Sequence, residues 1–79
     1  MKFQARDDSL HHEAPIGAPV DDLAAAIAAA RAWAEEPVIV AGVALDRQRS
    51  AVIYDETAHA PRFVARVDRR DGETTIRMA

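Results

Sequence analysis

Only one stretch of this chain reads as a helix, and that limits the fold more than any other feature. Residues 23 to 35 hold eight alanines with Leu23, Ile27, Arg31, Trp33 and Glu35, nearly all good helix formers. Asp21 or Asp22 can accept hydrogen bonds from the free amides of the first turn, and the acidic pair suits the positive end of the helix dipole. Pro37 stops the run. At about 100° per residue, Leu23, Ala26, Ile27, Ala30, Trp33 and Ala34 fall on one arc, which is therefore the face to bury. Trp33, the single tryptophan, is the expected anchor to a sheet. On the opposite side, Ala24, Ala25, Ala28, Ala29 and Ala32 are broken only by Arg31, Glu35 and Glu36. Side chains this small let another backbone approach closely, which makes Ala25, Ala28, Ala29 and Ala32 candidate contact residues. Alanine is also simply the best helix former.

The remaining chain reads as strands. Residues 2 to 6 form a short first strand with Phe3 and Ala5 on one face. Residues 7 to 20 are a polar arm or loop, where Pro15, Gly17 and Pro19 are spaced against both helix and strand. Residues 38 to 45 read as one strand that is apolar on both faces, and residues 51 to 56 as another until Asp55. Missing alternation implies cover on two sides, as in a central strand or beneath a second subunit. Residues 46 to 50 are a polar turn, and residues 57 to 61 a loop. Beyond it Phe63, Ala65 and Val67 alternate with Arg62, Val64, Arg66 and Asp68, residues 68 to 72 turn at Gly72, and Thr74, Ile76 and Met78 continue the inner face.

The expected fold is α+β, one helix on a four-stranded antiparallel meander, five-stranded if residues 2 to 6 join it, in the order (β)-α-β-β-β-β. This order resembles that of cystatin-like folds. No cystatin motif accompanies it, so no activity follows.

Seventy-nine residues suit one domain over residues 1–79, with a core too small to leave a wide margin of stability. There is no cysteine, so disulfides, thiolate metal sites and cysteine nucleophiles are excluded. Self-association or a protein partner is the remaining stabiliser. No run approaches a membrane span and the N-terminus lacks an apolar signal segment, so the expectation is a cytoplasmic protein with no membrane contact. Nine arginines against one lysine, with abundant alanine, suggest a GC-rich bacterial or phage genome.

Residues 1 to 45 carry three basic and seven acidic groups, net −4, and residues 46 to 79 seven basic and six acidic, net +1, which together give the net −3 of the chain. That is not the balance of a nucleic-acid binder, and no direct nucleic-acid contact is expected.

Three constellations bear on chemistry. Asp7, Asp8, His11, His12 and Glu13 crowd one segment, yet adjacent histidines diverge in an extended chain and lack helical i, i+4 spacing; a solvated arm is the simpler reading, and no metal or cofactor is expected. His59 lies near Asp55 and Glu56, a possible acid–base pair, but without an obvious nucleophile. Arg62, Arg66 and Arg77 make a candidate anion-contact row, since guanidinium offers paired donors; the many nearby carboxylates favour a salt-bridged surface instead. No catalytic residue is assigned.

The leading functional expectation is a small non-enzymatic protein-binding module, a homodimer acting as an accessory or inhibitory protein, with Val38, Val40, Val52 and Tyr54 joining the helical alanines as candidate interface. A second is an acidic phage-type inhibitor of a nucleic-acid-handling complex, of the anti-CRISPR kind, presenting Asp7, Asp8, Asp21, Asp22, Glu35 and Glu36. A third is a ligand-binding or enzymatic cup between helix and sheet, rimmed by Tyr54, His59 and Arg62.

Overall fold

A computed structural model describes residues 1–8 and 13–79. The elements run β1 (Phe3–Asp7), β2 (Pro15–Val20), α1 (Leu23–Glu35), β3 (Val38–Val40), β4 (Val43–Leu45), β5 (Arg49–Asp55), β6 (Arg62–Arg70) and β7 (Glu73–Met78). Five strands pair antiparallel in the order β2-β1-β5-β6-β7, and β3 pairs with β4 alone. The helix crosses the inner face of β1, β2, β5 and β6 and only grazes β7. One helix on an antiparallel sheet is the α+β arrangement expected from the sequence.

The helix begins where its cap allows. Asp22 is extended and its carboxylate accepts from the Ala24 amide at 3.1 Å, satisfying one of the free donors of the first turn. At the other end, Arg49 Nη1 donates to the Trp33 carbonyl at 2.7 Å while its guanidinium lies 5.0 Å from the Trp33 ring centre. One arginine thus caps a carbonyl and stacks on an aromatic face. Trp33 is half-buried, packed between this arginine and the core.

Ala26, Ala30 and Ala34 are buried against Phe3, Ala5, Ala51, Ile53, Ala65 and Val67, with Leu23, Ile27 and Trp33 around them. This is the arc read from the sequence. Among the described residues only Ile53 and Val67 are large and fully enclosed, so the middle of the helix lies close to the sheet through alanine methyls.

The expected order (β)-α-β-β-β-β is corrected to β-β-α-β-β-β-β-β, with five strands in one sheet that is not a simple meander and two in another, and three local departures from the sequence reading underlie the difference. Pro15–Val20, expected to be part of an arm, is a strand; it lies at the sheet edge, where a proline lacking N–H costs no ladder bond. Residues 38 to 45 are not one strand but a hairpin, turning at Ala41 and Gly42, whose φ values of 51° and 79° are the positive pair a type I′ turn requires. Finally, the β5–β6 register shifts between Ile53 and Tyr54. That bulge turns Val64 toward the core and sets Phe63 opposite Tyr54, their rings edge-to-face at 6.4 Å, reversing the expected faces of both residues.

Candidate functional site

The outer face of the sheet carries an ordered row of charges. In register across the strands stand Arg6, Val52, Arg66 and Arg77, and beside them Ser50, Asp68 and Thr75. Asp68 is the hub, accepting from Ser50 Oγ at 2.7 Å, Arg66 Nε at 3.1 Å and Arg77 Nη2 at 3.1 Å. Arg66 reaches on to Asp8 at 3.0 Å. Burial works against the Asp68 charge, but these donors outweigh it and hold its carboxyl below the ordinary aspartate value. Arg66 also loses hydration, and the facing Asp68 and Asp8 raise its pKa nonetheless. Arg6 pairs with Glu56 at 3.0 Å, and Tyr54 donates to Glu13 at 2.8 Å, a bond that raises the phenol's pKa.

This network decides what the sequence-derived residues can do. Arg66 and Arg77 meet at one carboxylate, Asp68, so they do not form an open anion clamp, although the Arg77 side chain remains largely exposed. Arg62 does not join them: the bulge puts it out of phase with Arg66, and it is 78% exposed with Asp55 at 4.0 Å. Val52, offered as an interface residue, is buried beneath the chain's own charged row, and Tyr54 is already engaged with Phe63 and Glu13. The second apolar face of β5 is therefore covered internally, and β5 is the central strand of the sheet, the first of the two alternatives the sequence left open rather than cover by a second subunit.

His59 is exposed. Its neighbouring carboxylates are committed elsewhere, Asp55 to the Thr57 amide at 2.9 Å and Glu56 to Arg6. Among the described residues no three histidines or carboxylates converge as a metal site would need; His11 and His12 of the candidate cluster lie outside the described residues. The acidic candidates fall in separate places. Asp21 and Asp22 lie at one end of α1 and Glu35 and Glu36 at the other, roughly 20 Å apart for thirteen residues. Asp7 closes β1, and Asp8 is held by Arg66. Glu35 accepts from Thr74 Oγ1 at 2.5 Å and from Arg31 at 3.2 Å, bonds that lower its pKa, the threonine chiefly. Ala25, Ala28, Ala29 and Ala32 are exposed on the outer side of the helix.

The largest unsatisfied feature is the β3–β4 hairpin. Among the described residues no other strand or helix comes within 8 Å of it between Cα atoms. Its register, Val38 with Leu45, Ile39 with Ala44 and Val40 with Val43, puts Val38, Val40, Val43 and Leu45 on one face and Ile39 and Ala44 on the other. Ile39, Val40, Val43 and Leu45 are 65%, 51%, 57% and 47% exposed. An isolated hairpin is marginal in water, and an apolar one more so. The sequence showed the two-sided apolarity of this segment but not that it stands free of the sheet, because an Ala-Gly pair is a weak turn signal beside Asn-Gly or Asp-Gly.

No protein-family model, no curated protein and no solved structure matches the chain. No helix among the described residues is long and apolar enough to cross a membrane.

Proposed function

We propose that this protein is a small non-enzymatic protein-binding module that self-associates, with the hairpin Val38–Leu45 as its contact element and a second copy of the chain as its cover. One observation carries the reading: an apolar hairpin, exposed on both faces, detached from the sheet that forms the rest of the fold. Such a patch on a monomer marks an interaction site, and burying its four half-exposed aliphatic side chains is worth roughly 3–6 kcal/mol per copy. The module's role is to hold or block a protein assembly.

The two other readings have less support. The acidic residues that would mimic phosphates are dispersed and in part paired. A ligand cup between helix and sheet would need space that Ala26, Ala30 and Ala34 fill against the strands, and Tyr54 belongs to the outer face.

Sedimentation velocity from low to high micromolar concentration tests the proposal, comparing the wild type with Ile39→Asp/Val43→Asp. Because the hairpin stands apart from the core, the variant is expected to melt as the wild type does at concentrations where the wild type is monomeric, and to remain monomeric at concentrations where the wild type is a dimer. A wild-type chain that stays monomeric throughout would refute the proposal.

A further inference from the structure

The sheet has two edges, and they differ. On β2, Pro15 and Pro19 each remove an amide donor, a common way to blunt an edge against unwanted pairing. On β7 there is no proline: Glu73–Met78 pairs with β6 on one side and leaves its other row of backbone groups open. Its inner face is also bare, because the helix stops short; Ile76 is 37% and Met78 58% exposed.

The β7 sequence is complementary to itself. Run antiparallel about Thr75, a second copy sets Glu73 against Arg77 and Thr74 against Ile76, each pair occurring twice. Opposite charges facing across strands are favourable, and like charges are not. The Glu73 carboxylate has no hydrogen-bond or ion-pair partner among the described residues, and a hollow of about 300 Å³ beside Arg77 is lined by Phe63, Arg66, Arg77 and Met78. The incoming Glu73 carboxylate would arrive at that hollow. Arg77, 67% exposed while bound to Asp68, keeps donors free for it.

The same register addresses the hairpin. Its base is fixed at the β6–β7 turn by Asp46, which pairs with Arg69 at 3.1 Å. The exposed Phe63 and Met78 lie at the opposite end of the same strands. A two-fold antiparallel arrangement brings the hairpin end of each copy alongside the Phe63–Met78 end of the other.

We propose that two copies join edge to edge through β7, antiparallel about a two-fold axis at Thr75, with Glu73 of each facing Arg77 of the other. This inference rests on the self-association read above and adds its interface and register.

Thr75→Cys tests it directly, since the chain has no other thiol. Residues facing each other across antiparallel strands have Cα atoms about 4.5–5.5 Å apart, within disulfide range. Mild oxidation is expected to convert Thr75→Cys almost wholly to a covalent dimer while Ala28→Cys, on the outer helix face, remains monomeric. A second test uses charge. Glu73→Arg and Arg77→Glu are each expected to weaken self-association about tenfold or more, and an equimolar mixture to recover it, because the heterodimer restores both opposite-charge pairs. If the wild type is a hairpin-dependent dimer yet Thr75→Cys cross-links no better than Ala28→Cys, or the two charge variants dimerise unchanged, the β7 interface is wrong and the hairpin reading stands.

Discussion

Replacing Ala30 by leucine asks whether the centre of the helix really meets the sheet through alanine methyls. Ala30 is fully buried, with Ala26 and Ala34 one turn to either side and equally enclosed. Across from this stripe are Ala51, Ile53, Ala65 and Val67, also with no accessible surface. Three added carbons have nowhere to go. Either the helix lifts, exposing Ala26 and Ala34, or the leucine takes a strained rotamer; overpacking of this kind costs about 1–3 kcal/mol. A chain of this size has roughly 4–12 kcal/mol of stability in total, so the loss is large. Each kcal/mol moves the midpoint of a small domain by about 4–8 °C, giving a fall of roughly 5–25 °C for Ala30→Leu. Thermal unfolding by circular dichroism measures it, with Ala29→Leu on the exposed face as control, expected within a few degrees of wild type. An Ala30→Leu variant as stable as the control would refute the close helix–sheet contact, and with it the claim that the interior has no room for a ligand.

Other outcomes follow from the same geometry. Trp33→Ala is expected to cost about 2 kcal/mol by chemical denaturation, less than the usual 3–5 for a fully buried aromatic, because the ring is half-buried and part of its contact is the Arg49 stack. Asp68→Asn takes the charged acceptor from Arg77 and leaves Arg66 with Asp8 alone, and should cost about 1–3 kcal/mol at neutral pH. Since the native pKa of Asp68 is depressed, its stabilisation is present above the unfolded value near 3.9 and is lost as pH falls through the native value. Urea melts between pH 5 and 2 should therefore fall less steeply for Asp68→Asn than for wild type. Ala41→Asn, which supplies a side chain better suited to positive φ, should order the hairpin and tighten self-association about two- to fivefold, read by sedimentation.

The helix was legible because everything that specifies it is local: Asp22 at the cap, eight alanines, and Pro37 beyond the end. The turn at Asp71 and Gly72 was legible for the same reason, since Asp-Gly is a strong signal for the positive φ values of 51° and 80° found there. What the sequence hid depends on distant partners. Pro15–Val20 is a strand only because β1 accepts it as an edge. The bulge that turns Phe63 outward and Val64 inward is set by pairing with β5, and strict alternation cannot reveal it. Val52 is apolar and looked exposed to a partner, but the row of Arg6, Arg66 and Asp68 that covers it comes together only in the folded sheet. The hairpin was half legible: its apolar residues were plain, its separation from the sheet was not.

Hydrogen exchange as a function of protein concentration shows whether a second copy covers the hairpin. Amides of residues 38 to 45, in a hairpin with no cover from its own chain, are expected to exchange quickly in dilute solution and to gain protection as concentration rises, while those of β5 stay equally protected throughout. If hairpin protection does not change with concentration, a second copy does not cover the hairpin.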